Sequence, residues 1–188
     1  KKGYDVLITR DPGGNPISEA IREVILNKDF TEMGYMTELL LYASARAQLV
    51  KENIKPALDA GQAVIADRFV DSSAVYQGIG RGLGDDTGHF ITAKLSGIKV
   101  NEFALQGIMP DMTFLMDLDA QEGISRKKNQ AELDRMENEK MEFHQKVVDG
   151  YRMLADMHTE RIVKIDATLP IDEIHGIIVG YVEKKLNL

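Results

Sequence analysis

A chain of 188 residues, 44% hydrophobic and 28% charged, is long enough to bury a real core and too apolar to be disordered. Its formal net charge of −7 argues against a nucleic-acid backbone as the main partner and leaves small anions to be met by local arginines. The lack of cysteine excludes disulfides and thiolate metal sites; with no signal peptide and no apolar run near the ~18 residues of a membrane span, a cytoplasmic location off the membrane is expected.

Residues 4–9 read as a strand, and Arg10, Asp11, Pro12, Gly13 and Gly14 follow at its carboxyl end. Asn15 suits an N-cap and Pro16 the first helical position, so a helix is predicted to about residue 26 with Ile17, Ile21, Val24 and Ile25 on its apolar face. After a polar loop over 27–35, a helix over 37–51 carries Leu39, Tyr42, Arg46 and Leu49 on one face. An arginine there either snorkels to water or needs a partner, because an unpaired buried charge is costly. In the functional reading Tyr42 and Arg46 line a pocket together, the ring stacking on a base and the guanidinium donating to its carbonyl.

A further helix closes at Gly61, and an apolar run over 63–66 reads as a buried strand ending in Asp67 and Arg68. In open α/β sheets ligands bind beyond the carboxyl ends of strands. The pair is therefore placed to meet an anion, unless it is a surface turn with a weak ion pair. A helix predicted from Asp71 or Ser72 puts Ser73, Tyr76 and Gln77 at i, i+3 and i+4, one polar face. It dissolves into Gly78, Gly80, Gly82 and Gly84, whose freedom would let Arg81 move onto a phosphate.

Farther along, a helix over 100–106 ends at Gly107, and 112–118 reads as a third strand. Arg126, Lys127 and Lys128 close a helical stretch from Ala120, and Glu132, Leu133, Asp134 and Arg135 follow. This run is either a solvated charged face or, over about 126–137, a mobile lid whose cations close over phosphates. A long amphipathic helix over 137–157 holds Phe143, Val147, Tyr151 and Leu154, while His144 and His158 lack metal-ligand spacing and are expected at the surface. A fourth strand over 161–165 ends in Asp166, Ala167 and Thr168 before a closing helix over 171–187. Four strands alternating with helices predict an α/β domain spanning 1–188, a parallel sheet with helices on both faces.

The stretch 67–84, Asp-Arg-Phe-Val-Asp-Ser-Ser-Ala-Val-Tyr-Gln-Gly-Ile-Gly-Arg-Gly-Leu-Gly, resembles the central signature of the thymidylate kinases, P-loop nucleoside monophosphate kinases. Residues 10–14 resemble the family's Arg-Glu-Pro-Gly-Gly loop, with Asp11 in place of the usual Glu. The resemblance covers nearly all of the chain. It implies transfer of the ATP γ-phosphoryl group to dTMP with Mg²⁺, giving dTDP, by a cytoplasmic homodimer packed through helices.

By the same resemblance Tyr42 stacks on thymine and Arg46 bonds its exocyclic oxygen. Arg68 contacts the dTMP phosphate, Ser73 and Gln77 lie at the base, Tyr76 closes the pocket against a 2′-hydroxyl, and Arg81 reaches the monophosphate. Asp11 would lie near the nucleoside sugar and the metal, and Asp67 near the metal. Arg126, Arg135 and Lys128 are lid cations for ATP, Ala167 flanks adenine, and Arg68, Arg126 and Arg135 are the candidate catalytic groups.

Two features depart from the family. Residues 85–99 are longer than its usual helical link, a surface insertion in the simplest reading. No Gly-x-x-x-x-Gly-Lys-Ser/Thr is present, although that loop grips the donor phosphates. The family carries it, with a central strand, ahead of the position of Lys1. The expectation is an enzyme whose N-terminal segment precedes this sequence, with residues 1–188 alone unstable and inactive. The alternatives are that residues 88–92 substitute for the strand, or that the chain is a non-catalytic nucleotide-binding or interaction protein keeping only the dTMP pocket.

Overall fold

The computed structural model describes residues 3–84, 100–129 and 132–187 and the backbone of 94–95 and 98–99. The puzzling stretch 85–99, with its possible substitute strand at 88–92, thus lies largely outside the described residues. Only a short antiparallel pair, β3 (Lys94–Leu95) with β4 (Ile98–Lys99), belongs to it.

The predicted strands form, and they pair in parallel. β1 (Val6–Arg10) lies beside β2 (Ala63–Asp67), so Arg10 and Asp67 end the two strands side by side. β5 (Thr113–Asp117) pairs with β6 (Ile162–Asp166) in the same way. No hydrogen-bonded strand joins these two pairs among the described residues. Helices pack around them, but on the first pair Ile8 and the adjacent Ile65 are exposed to 76% and 59%, so among the described residues that face is uncovered. The α/β class with parallel strands holds, while the sheet is seen as two separate parallel pairs.

Helix α1 (Pro16–Leu26) starts where its sequence dictates, with the Asn15 side chain accepting from the Ser18 N–H at 2.9 Å. The helix predicted over 37–51 begins earlier, as α2 (Tyr35–Leu49), and does not stop. It runs through a π-helical turn (Val50–Ile54) into α3 (Lys55–Asp59), where Pro56 lacks the N–H that regular winding would use. Gly61, at φ +76°, supplies the left-handed residue that ends the run.

After β2, one turn of helix, α4 (Val70–Ser73), widens into a π-helical segment (Ala74–Gly80). The glycine-rich stretch is therefore wound, not loose, and π turns of this kind recur at functional sites. α5 (Val100–Leu105) packs on α2; α6 (Ala120–Lys128), α7 (Met141–Met157) and α8 (Ile171–Leu186) complete the chain.

Two apolar clusters hold these elements. Ala74, Val75, Phe143, Val147, Leu154 and Ile162 form one, joined by Met136 from the predicted lid. Leu49, Val50, Ile54, Phe69, Val70 and Leu105 form the other. Gly150 lets α7 approach the π-helical segment, since a Cβ there would lie 2.8 Å from Ile79 Cδ1. His144 corrects an expectation: it is buried in the α7 face, its Nε2 3.2 Å from the Glu137 carbonyl. His158 is half-buried beside Glu160.

A nearly buried ion pair links the two strand pairs. Arg161 NH2 and NH1 donate to Asp71 Oδ1 and Oδ2 at 2.7 and 2.8 Å, and Thr113 Oγ1, at the start of β5, donates to the same carboxylate. Asp71→Ala is expected to cost about 2 kcal/mol, the worth of charge-assisted hydrogen bonds in such a setting. A urea midpoint within error of wild type would show the pair to be dispensable.

Candidate functional site

Arg46 is buried to 1% exposure and held by three hydrogen bonds. Its Nε donates to Asp11 Oδ2 at 2.6 Å, NH1 to Asn101 Oδ1 at 3.0 Å and NH2 to Ser73 Oγ at 2.8 Å, with the Phe69 ring 5.7 Å from its guanidinium. The snorkelling alternative is thus excluded. Asp11 lies beside β2, its backbone N–H bonded to the Asp67 carbonyl, and its Oδ1 is buried without a partner among the described residues. Burial pushes the Asp11 carboxyl up from its ordinary range, against the charge and hydrogen bond of Arg46. Gly14, at φ +85°, leaves room for this arrangement; a Cβ there would collide with Thr9 Oγ1 and Leu49.

Eight residues before Arg46, on the same helix, Glu38 forms a second buried centre. Its Oε1 accepts from Gln77 Nε2 at 2.9 Å and Arg81 Nε at 3.1 Å; its Oε2 accepts from Arg81 NH2 at 3.0 Å and Arg135 NH2 at 2.7 Å. Burial pushes the Glu38 carboxyl upward, and the bonds from Arg81, Gln77 and Arg135 outweigh it, holding the group below its usual value of 4.5. A carboxyl with a depressed folded-state pKa stabilises the fold above the unfolded value and loses that contribution as pH falls through the folded value. Acidification below about pH 4.5 should therefore weaken the fold in wild type, and Glu38→Gln should flatten that acid limb. Parallel limbs in pH-dependent urea unfolding would contradict this.

These contacts correct the reading of two cations. Arg81 does not swing on loose glycines. It lies 4.6 Å from the Tyr35 ring centroid and 4.5 Å from that of Phe143, and also pairs with Glu139 at 2.8 Å. Arg135 is no free lid cation either. Its Nε donates to the Ile25 carbonyl at 2.8 Å, and its neighbour Met136 is in the core. The predicted lid is thus docked on α1 and α2.

Arg68 contrasts with both. It stands exposed just past the end of β2, in the left-handed region at φ +65°, with no acidic partner among the described residues. Its guanidinium lies 5.2 Å from the Tyr76 ring centroid, within an aromatic group that includes Tyr42 and Tyr151. Burial and the charge of Glu38 push the Tyr42 phenol up. Burial pushes that of Tyr151, which bonds Ser72 Oγ at 2.8 Å, up to about 12. Arg68 and Tyr76 therefore meet, with Tyr151 edge-on to Tyr76 at 6.2 Å between ring centroids, and Arg46 is bonded to Ser73, three residues before Tyr76.

On the other strand pair, a cleft of about 360 Å³ opens at the carboxyl ends of β5 and β6, lined by Asp117, Asp119, Arg152, Lys164, Asp166 and Thr168. Arg126 NH1 donates to the Ala167 carbonyl at 3.0 Å, and its Nε to Glu122 at 2.8 Å, so two residues expected near ATP adjoin each other beside this cleft. Lys128 is exposed with no ion pair among the described residues.

Comparison with known proteins shows the family. The family model for thymidylate kinase matches residues 1–178. A thymidylate kinase of Geobacillus thermodenitrificans strain NG80-2 is 47% identical over 189 residues, covering 100% of this chain and 80% of the relative. One from Caldanaerobacter subterraneus subsp. tengcongensis is 44% identical over 188 residues, covering 100% and 85%. One from Halalkalibacterium halodurans is 41% identical over 190 residues, covering 100% and 86%.

The chain belongs to the thymidylate kinase family.

As a thymidylate kinase family member it is a phosphoryl-transferring enzyme with the P-loop NTPase fold. Sequence reasoning about this kinase missed Glu38 and Asn101. The signal for Glu38 was present: it precedes Tyr42 by four residues and Arg46 by eight, a spacing that keeps all three along one helix side. Asn101, from a helix 55 residues away, left no such trace.

The expected metal carboxylates do not gather. Asp11 is turned inward onto Arg46, Asp67 is exposed beside Arg10, and no group of three His, Asp or Glu suited to a cation occurs among the described residues. These residues by themselves do not fit a magnesium site.

Proposed function

We propose that this chain binds dTMP between α2 and the segment after β2, and that the enzyme passes the γ-phosphoryl group of ATP to it, giving dTDP. The observation that carries this reading is Arg68, a cation without an acidic partner among the described residues, held over Tyr76 at a parallel strand end. It meets the dTMP phosphate. Tyr42 covers the thymine ring, Tyr76 fills the space a 2′-hydroxyl would need, and Ser73 and Gln77 border the base. Arg46 has three of its five N–H groups committed, and the remaining two are what a base carbonyl would take.

The acceptor phosphate brings its own charged oxygen, so the transfer needs no strong base. It needs alignment and neutralisation of charge, here from Arg68 with Arg126 and Lys128 as cations on the donor side. Asp117, Asp119 and Asp166 in the cleft at β5 and β6 would repel phosphates, so this cleft suits the adenine and ribose of ATP, with Ala167 at its rim. Mg²⁺ is expected to arrive with ATP, and no step is assigned to it through these residues.

The absence of cysteine agrees with a reducing, cytoplasmic setting. Exposed Leu40 on α2 and Phe103 on α5, helices that pack together, support a homodimer through this helical surface. The test is dTMP-dependent formation of ADP and dTDP from ATP by the protein carrying this sequence, with UMP and AMP as poor acceptors. Binding of dTMP and ATP with no transfer would instead leave a nucleotide-binding protein.

A further inference from the structure

Glu38 touches no nucleotide in the reading above, yet three parts of the fold converge on it. Gln77 comes from the π-helical segment, Arg81 from the glycine-rich stretch after it, and Arg135 from the segment 132–139. A carboxylate with 0% exposure persists in a protein only when its lone pairs are taken up by donors, and here four hydrogen bonds do so.

Residues 132–139 have further ties to the fold. Lys28 with Glu132, at 2.6 Å, and Lys127 with Glu137, at 3.1 Å, are exposed pairs that hold little in water. Met136 is buried but non-directional. The directional, desolvated ties lead mainly back to Glu38: Arg135 is clamped between it and the Ile25 carbonyl, and Arg81, which it also binds, pairs with Glu139 at 2.8 Å, while His144 Nε2 lies 3.2 Å from the Glu137 carbonyl. The Glu38 carboxylate also fixes the Gln77 amide. With one Nε2 N–H held by Glu38, the Gln77 carbonyl oxygen is turned the other way, an acceptor suited to an N–H edge, and the second N–H of the amide is left over. Tyr42 stands one turn from Glu38 on α2, and Arg46 two turns.

We propose that Glu38 is the positioning residue of the acceptor site: it holds Arg81 and Arg135 so that residues 132–139 close on α2, and it sets the Gln77 amide toward the base. This inference rests on the dTMP reading. It differs from a purely structural role because it couples ligand binding to the closed segment.

The experiment is hydrogen exchange of the amides in 132–139, with and without dTMP, in wild type, Glu38→Gln, Arg135→Gln and the double variant. Calorimetric dTMP titration is run on the same four proteins. Arg135→Gln leaves the bonds of Glu38 to Arg81 and Gln77 in place, so it remains informative should Glu38→Gln fold poorly. Expected are exchange about tenfold faster in 132–139 in either single variant, no further gain in the double, and protection by dTMP in wild type alone. Glu38→Gln should also bind dTMP about tenfold more weakly. Wild-type exchange in both single variants, additive effects in the double, or equal dTMP protection in Glu38→Gln would each overturn the proposal. A wild-type protein that does not bind dTMP at all would instead overturn the functional reading, and the exchange data without ligand would still report on Glu38.

Discussion

Arg46→Ala should lower folding stability by about 3–5 kcal/mol, the cost of removing one partner from a buried ion pair. Asp11, at 3% exposure in the wild type, would be left with neither carboxylate oxygen paired among the described residues, since Oδ1 already lacks a partner there and Oδ2 would lose its 2.6 Å bond. Ser73 and Asn101 would each lose a donor as well. Against a total of about 5–15 kcal/mol, that loss is enough to unfold a marginal domain. Asp11 in the variant has a raised folded-state pKa, so it binds a proton more tightly folded than unfolded. The deficit should therefore shrink on acidification and grow as pH rises through that pKa. Replacing both partners, as Asp11→Ala with Arg46→Leu, should recover much of the loss, because an apolar pair avoids the stranded charge. Urea unfolding of the single and double variants checks this; a double variant less stable than Arg46→Ala would contradict it.

Arg68→Ala should weaken dTMP binding about 10- to 100-fold, the worth of hydrogen bonds from a guanidinium to a dianion. Thymidine, which lacks the phosphate, should bind the variant as it binds wild type. Stability should stay within about 0.5 kcal/mol, because Arg68 is exposed and has no acidic partner among the described residues. This separates it from Arg46, whose removal strands a buried charge. Calorimetric titration of both ligands decides the matter: an equal loss for thymidine would place Arg68 at the base or sugar, and no loss would remove it from the site.

The features legible in the sequence are those governed by near neighbours. Asn15 before Pro16 fixes a helix start through one side chain and one backbone N–H three residues on, and both are where the sequence places them. The apolar runs at β1, β2, β5 and β6 end in Arg10, Asp67, Asp117 and Asp166, which marks the carboxyl edges where ligands meet parallel strands. Arg46 on an apolar face announced that it needed a partner; it could not announce Asp11, Ser73 and Asn101, which lie 35, 27 and 55 residues away.

The reading of Arg81 failed for the same reason. Alternating glycines speak for local freedom, while Tyr35, Phe143 and Glu38, remote in sequence, immobilise the side chain. Periodicity names the face of a helix and leaves open what the face will meet. It also assumes regular winding, so the π-helical turn over Ala74–Gly80 shifts Tyr76 and Gln77 off the spacing expected of an α-helix. The lid was legible as a cluster of charges. Its docking was not, because Met136 reaches the core and Arg135 reaches Glu38, 97 residues away.

The most direct test of the account is a calorimetric titration of the protein carrying this sequence with dTMP, alongside UMP and thymidine. The account predicts saturable binding of one dTMP per chain, weaker binding of thymidine for want of the Arg68 contact, and weaker binding of UMP, whose 2′-hydroxyl meets Tyr76. Binding of UMP and dTMP with equal affinity, or no binding of dTMP, would contradict the assignment of Tyr42, Arg46, Arg68, Ser73 and Tyr76 to an acceptor site.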